Sequence, residues 1–275
     1  MTDYSPKEYW ARVAESFRSA DTTGFAPVLH PDAPAWYNRL IDNLQSQAMR
    51  RALAIAQVPQ GAQFLDIGCG TGRWLRRNQE RGFRALGLDL TLGMLRTARE
   101  QGTAAPLVTG DAQRLPFPDS SFDAVSDVTV VQHIPLASQP QALVEMLRVL
   151  KPGGRLILVE LIAGQGGHVF FRTPQDWIQQ VTSRGATLLG WFGQEFLLTD
   201  RLFLAIVHKF RNSKSSAGGS GLPPSQPVTR QAASRRHLYW GIRHLIAVLS
   251  AWADPLTEKI LPGRYATHAV LVFRK

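Results

Sequence analysis

Gly68, Gly70 and Gly72 stand at alternate positions behind a short apolar run, Phe64-Leu65-Asp66-Ile67, and directly before a helical pattern. That order reads as strand, glycine turn and helix. Glycine lets the backbone turn sharply and lets a ligand approach where a Cβ would collide. The helix start presents N–H groups without intrahelical partners. A dinucleotide fingerprint spaces its glycines Gly-x-Gly-x-x-Gly and seats a pyrophosphate at the helix start. Here the spacing is Gly-x-Gly-x-Gly, and Asp66 precedes the first glycine by two residues. A carboxylate there suits a ligand carrying an ammonium group better than one carrying phosphates. The motif by itself also fits a tight βα turn in another kind of α/β protein.

Two further acids have the same placement. Asp89 closes Gly87-Leu88-Asp89, and Asp111 opens Asp111-Ala112-Gln113-Arg114-Leu115-Pro116-Phe117. A carboxylate at the first can accept hydrogen bonds from both hydroxyls of a ribose. One at the second can accept from an adenine amino group, with neighbouring backbone reading the ring edge. Either acid alone would be an ordinary solvated loop residue. Three acids at three successive strand ends, beside a glycine turn, make a nucleoside site the better reading.

The elements that must position these residues follow from hydrophobic period. Strands are expected at 63–67, 84–88, 106–109, 122–128 and 154–160, with helices from 91 and over 138–150 between them. A helix at 174–184 and strands at 186–191, extending toward 196, and 266–273 complete the pattern. Alternation of this kind predicts a doubly wound, mostly parallel seven-stranded sheet, Rossmann-like, with ligands at the carboxyl ends of the strands. Ahead of it, Tyr9, Trp10, Val13 and Phe17 recur at helical spacing within 5–20, and a loop with Gly24, Pro27, Pro31 and Pro34 leads to a second helix over 35–57. These helices either pack on the sheet or form a lid in which Trp10, Trp36 or Tyr37 closes over a bound ligand.

The 275 residues divide into an N-terminal helical cap (1–58), a core (59–200), a basic insertion (201–264) and a last core strand (265–275). Within the insertion, 212–234 is Ser/Gly/Pro-rich and reads as a flexible linker. Residues 235–252 read as an amphipathic helix with Leu238, Ile242, Leu245, Leu249 and Trp252 along one stripe. Most of the net charge of +10 is local: no Asp or Glu falls between Arg201 and Ala253. Such a helix either lies in an anionic membrane interface or packs on its own domain. A single cysteine excludes an intramolecular disulfide. No His/Asp cluster has ligand spacing, so no metal is expected. The start lacks a charged region followed by an apolar one, and a cytoplasmic protein is the expectation, peripheral to the membrane if the basic helix binds one.

With Phe-Asp-Ala-Val at 122–125 and Leu-Arg-Val-Leu-Lys-Pro-Gly-Gly-Arg-Leu at 147–156 added to the three blocks above, the sequence resembles the class I S-adenosyl-L-methionine (SAM) dependent methyltransferases. Within them it is similar to the ubiquinone/menaquinone C-methyltransferase-like (type 11) group. The resemblance implies SAM as cofactor. Asp66 and the Gly68, Cys69, Gly70 and Gly72 loop would hold the methionine moiety, and Asp89 the ribose with Leu90 against adenine. Asp111 and Ala112 would read the adenine, and Val128 would lie along the cofactor. Cys69 would be a small filler in the loop, and Lys151-Pro152-Gly153-Gly154 a structural turn.

Transfer from a sulfonium mainly needs proximity and alignment, worth roughly 7–11 kcal/mol. A hydroxyl or acidic-carbon acceptor also needs a base. His133, in Val131-Gln132-His133-Ile134-Pro135, is the candidate, its ordinary pKa of about 6.5 suiting the task. A histidine here is also common in relatives with different acceptors. Ser126-Asp127-Val128-Thr129-Val130 lacks the Asn/Asp-Pro-Pro-Tyr/Phe pattern of exocyclic base methylation, and the sole cysteine lies in the cofactor loop. The leading expectation is a small-molecule or lipid-like acceptor with an O-, C- or N-nucleophile. An RNA methyltransferase working through the basic segment, or a SAM-binding protein without transfer, are the alternatives, and nucleic acid is the less expected partner. The sequence carries no sign of oligomeric state.

Overall fold

Alternating apolar runs and helical periods become seven strands and six α-helices in the protein, for which a computed structural model describes residues 4–17, 35–162, 167–194, 263 and 266–275. The loop expected after the first helix, the basic insertion, its linker and the helix expected over 235–252 lie outside the described residues. The elements run α1 (Pro6–Phe17), α2 (Ala35–Ala56), β1 (Gln63–Ile67), α3 (Arg73–Glu80), β2 (Arg84–Asp89), α4 (Leu92–Glu100) and β3 (Leu107–Thr109). They continue with β4 (Phe122–Val128), a short 3-10 turn (Val131–His133), α5 (Gln139–Val149), β5 (Leu150–Leu161), α6 (Pro174–Thr182), β6 (Thr187–Gln194) and β7 (His268–Arg274).

The sheet order is β3-β2-β1-β4-β5-β7-β6. The first five strands are parallel, and β7 pairs antiparallel with both β5 and β6. The order reverses between β1 and β4, so this α/β sheet has its ligand crevice at the carboxyl ends of those two strands. The fifth strand starts earlier than its apolar run suggests. Leu150 already pairs with Phe122, and the ladder shifts register before resuming at Ala124 and Arg155. Lys151–Gly154 is thus a irregular stretch within β5, with Gly153 at φ +76° absorbing the turn.

Both faces of the sheet are covered. Ala48, Met49, Ala52 and Ala56 recur at helical spacing on α2 and pack with Ile157 and Val159 of β5, Val270 and Val272 of β7 and Phe192 of β6. The alternate residues Leu156, Leu158, Leu271 and Phe273 are fully buried on the other face, where α5 and α6 contact β5, β6 and β7. A capping box opens α6, with Thr173 and Asp176 each bonding the other's backbone N–H.

Candidate active site

The turn after β1 is built for close approach. Gly68 has φ +63°, and a Cβ there would lie 2.3 Å from Cγ2 of Val130, the residue that leaves β4. Gly72, φ +78°, plays a different part: a Cβ there would strike Thr103 Oγ1 at 2.2 Å, so its constraint is packing at the start of α3. Backbone donors of the turn are engaged internally. Cys69 N donates to Leu88 O at 3.0 Å, Gly70 N to Asp89 Oδ2 at 2.9 Å, and Gly72 N to Cys69 O at 2.9 Å. A turn with those donors occupied is not a phosphate cradle, in agreement with its glycine spacing.

A cavity opens over this turn, with about 960 Å³ of empty space when its mouth is included. Of the residues expected from sequence, Gly68, Cys69, Gly70, Asp89, Leu90, Asp111, Ala112, Val128 and His133 line it, and so does Trp10. Asp89 also accepts from Thr91 N and Thr91 Oγ1, each at 2.9 Å. Burial pushes its carboxyl up while these donors and Gly70 N hold it back. Asp111 closes an Asx turn, accepting from Gln113 N at 2.8 Å. Cys69 is buried, which pushes its thiol well up, beside the Asp89 and Asp66 carboxyls; a thiol so held is inert filler.

Asp66, Gly72, Trp36 and Tyr37 are placed elsewhere. Asp66 is buried behind the wall, where Ser126 Oγ donates to Oδ1 at 2.7 Å and Oδ2 has no hydrogen-bond donor among the described residues. Burial raises its carboxyl to about 7. Trp36 and Tyr37 pack edge to face on α2, and neither is among the described residues lining the cavity. Of the two N-terminal helices, α1 contributes described residues to the cavity lining and α2 does not. Pro6 and Trp10 line the cavity, Tyr4 donates its hydroxyl to His133 O at 3.1 Å, and Ala14 packs against Gly93 at the start of α4.

His133 has lost the character expected of a base. Burial drops its pKa to about 4. The contact of Nδ1 with His168 O at 2.9 Å requires the proton on Nδ1, which leaves Nε2 as acceptor for the Gln132 side-chain amide at 3.3 Å. Its ring stacks parallel to His168 at 5.3 Å and meets the edge of Trp10 at 4.9 Å.

Three features of the wall carry no signal in the expected motifs. Arg73, the residue after Gly72, lines the cavity while Nη1 donates to Asp42 Oδ1 and Nη2 to Gln45 Oε1, both at 2.8 Å. Its position beside the glycine motif was the available clue. Thr129, also in the wall, is a β-branched residue at φ +60°, a conformation costing on the order of 1–3 kcal/mol. Asp127 and Glu160, both fully buried, lie beneath the turn that carries His133.

The sheet order and the switch-point cavity are those of a Rossmann-like α/β fold, and residues 65–158 match the family described as Methyltransferase domain. Among similar proteins, malonyl-[acyl-carrier protein] O-methyltransferase of Serratia marcescens is 40% identical over 121 residues, 44% of this chain and 47% of that protein. Demethylmenaquinone methyltransferase of Renibacterium salmoninarum is 37% identical over 126 residues, 45% of this chain and 52% of that protein. The chain thus spans about half the length of the curated relatives it matches. A SAM dependent methyltransferase from Archaeoglobus fulgidus has the same fold, with TM-score 0.54 at 16% identity over 88% of this chain and 100% of that one.

Proposed function

We propose that the chain is a SAM-dependent methyltransferase that moves a methyl group to a small-molecule or lipid-like acceptor. The observation that carries this reading is one cavity shared by the Gly68–Gly70 turn, Asp89, Asp111 and a wall of Thr129, Val130, His133 and Ile134. The chemistry of these donors fits SAM. Asp89 would hold the ribose hydroxyls, with Asp111 and Ala112 at the adenine and the glycine turn at the methionine moiety. Asp66, a buried carboxylate with an oxygen lacking a donor, suits a cationic group, and the Arg73 guanidinium suits a carboxylate. SAM, when bound, supplies a methyl group on a sulfonium that needs no further activation.

The chain's own work is then alignment and exclusion of water, by α1 with Trp10 on one side and that wall on the other. His133, neutral and with both ring nitrogens engaged, orients the wall and is a weak base. That favours acceptors whose nucleophile is already anionic or acidic, such as a carboxylate or an acidic enol or phenol. The substrates named for the two curated relatives, a carrier-bound malonyl group and demethylmenaquinone, are consistent with that class. Peripheral contact with an anionic membrane, through the basic and apolar stretch 235–252, would serve a lipid-like acceptor. Among the described residues no helix is long and apolar enough to cross a membrane.

The test is incubation with methyl-labelled SAM and a host cell extract, followed by separation of lipid, polar, RNA and protein fractions. Label in the lipid or polar fraction is expected. Label in RNA overturns the acceptor class, and tight SAM binding with no S-adenosylhomocysteine formed from any extract overturns transfer itself. Failure to float with anionic liposomes removes the membrane contact.

A further inference from the structure

The turn that forms the acceptor-side wall is held from below by two acids. Glu160 Oε1 accepts from Val130 N at 3.3 Å and Val131 N at 3.0 Å, and Oε2 accepts from Gln132 N at 3.0 Å. Asp127 Oδ1 accepts from Val130 N at 3.1 Å. Gln132 returns the contact, its Oε1 accepting from Leu161 N at 2.7 Å. Three consecutive backbone donors, directly after the left-handed Thr129, are thus captured by two side chains on neighbouring parallel strands.

The two carboxyls converge on one donor, Val130 N, which reaches both Asp127 Oδ1 and Glu160 Oε1. Carboxylate oxygens only accept, so two carboxyls gathered on one N–H can bond each other only with a proton between them. Asp127 Oδ2 has no other donor among the described residues, and both residues are 0% exposed. Two buried negative charges so close would repel without water to screen them.

We propose that Asp127 and Glu160 share one proton at neutral pH and act together as positioning residues, clamping the turn 129–133 that shapes the acceptor side of the cavity. Burial, which raises both acids, supports the retained proton. The pair touches no part of the cavity and works through Thr129, Val130 and His133, which line it. The effect on transfer rests on the methyltransferase reading; the shared proton and the clamped turn stand without it.

Replacement at the two positions has opposite consequences. In Asp127→Asn the side-chain amide supplies a permanent donor to Glu160 and the clamp survives. In Glu160→Gln one oxygen becomes an amide that faces a backbone N–H, whichever way it is turned, and the clamp opens.

Infrared difference spectra and amide hydrogen exchange test this on the full chain. Wild type minus Asp127→Asn is expected to show the carbonyl band of a protonated carboxyl at pH 7. Asp66, which the Asp127 charge pushes up from β1, would change its own protonation with Asp127, so both spectra are recorded in an Asp66→Asn background. Exchange at 130–132 is expected to rise about tenfold or more in Glu160→Gln, the size of a lost hydrogen bond to a charged group, and to stay protected in Asp127→Asn. With an acceptor in hand, Glu160→Gln raises acceptor KM by about tenfold while SAM affinity, by calorimetry, stays within about threefold, a split that general unfolding would not give. Absence of the infrared band, or unchanged exchange in a folded Glu160→Gln, overturns the proposal. Should Glu160→Gln fail to fold, the band alone decides. A wild type that transfers no methyl group overturns the methyltransferase reading and leaves the infrared and exchange results to judge the pair.

Discussion

The Arg73 guanidinium, in the cavity wall, donates to Asp42 Oδ1 at 2.8 Å and so ties the cofactor helix α3 to the N-terminal helix α2. Asp42 also receives Arg77 Nη1 on Oδ1 at 2.8 Å and Nη2 on Oδ2 at 2.6 Å. Burial works to raise Asp42, and the hydrogen bonds from Arg77 and Arg73 outweigh it, so its carboxyl lies below the ordinary value. A depressed carboxylate stabilises the fold above its unfolded pKa, about 3.9, and that stabilisation is lost as pH falls through the folded value. Asp42→Asn leaves Arg73 buried without its counter-charge and is expected to destabilise by about 3–5 kcal/mol. Urea unfolding at pH 7 measures the loss, and the difference from wild type should shrink on acidification below about pH 4.

Asp89 joins the glycine turn after β1 to the end of β2 through Gly70 N and to α4 through Thr91. Asp89→Asn keeps the shape but puts amide hydrogens against backbone N–H donors. The expected outcome is loss of SAM affinity by about tenfold to a hundredfold, corresponding to one or two hydrogen bonds to a charged acceptor. Calorimetric titration with SAM reads it. Affinity equal to wild type would remove Asp89 from the site.

Much of this arrangement was legible before the fold. Gly68, Gly70, Asp89 and Asp111 advertise themselves because each sits where an apolar strand stops, and the turn chemistry is local. Asp127 and Glu160 do not, because Glu160's partners lie 28 to 30 residues away, Asp127's bond to Val130 N forms only once the chain turns at Thr129, and a lone acid inside a strand run has no local pattern. Thr129 gives no warning either, since a β-branched residue argues for continued strand, and only the captured N–H groups after it stabilise the left-handed turn. Trp36 and Tyr37 misled for the opposite reason. Aromatic residues at a helix start look available, yet the α2 period turns Tyr37 into the interior. The histidine expected as a base at position 133 is buried, which lowers its pKa, and sequence does not report burial.

For His133 the consequence is a pH profile without the usual histidine limb. An exposed base would titrate near 6.5 and cut the rate below that pH. With its pKa lowered to about 4 by burial, His133 stays neutral across the working range, and log kcat should show no inflection near 6.5 that disappears on His133→Asn. An inflection that does disappear would restore His133 as the base.

Asp66 predicts a proton linked to cofactor binding. Burial lifts its carboxyl to about 7, above the unfolded value near 3.9. The folded protein therefore binds more protons than the unfolded chain between about pH 4 and 7, so this group's contribution to stability is fully present below the unfolded pKa and declines as pH rises through that window. A cation placed beside Asp66 favours the charged carboxylate and lowers its pKa. Binding SAM at pH 6.5 should then release about three quarters of a proton, and affinity should rise with pH up to about 7 and level off above it. Calorimetry in two buffers of different ionisation enthalpy counts the proton directly. In Asp66→Asn the count should fall toward zero. A proton count unchanged by that substitution would mean that the ammonium group is held elsewhere and that Asp66 only braces β1 against Ser126.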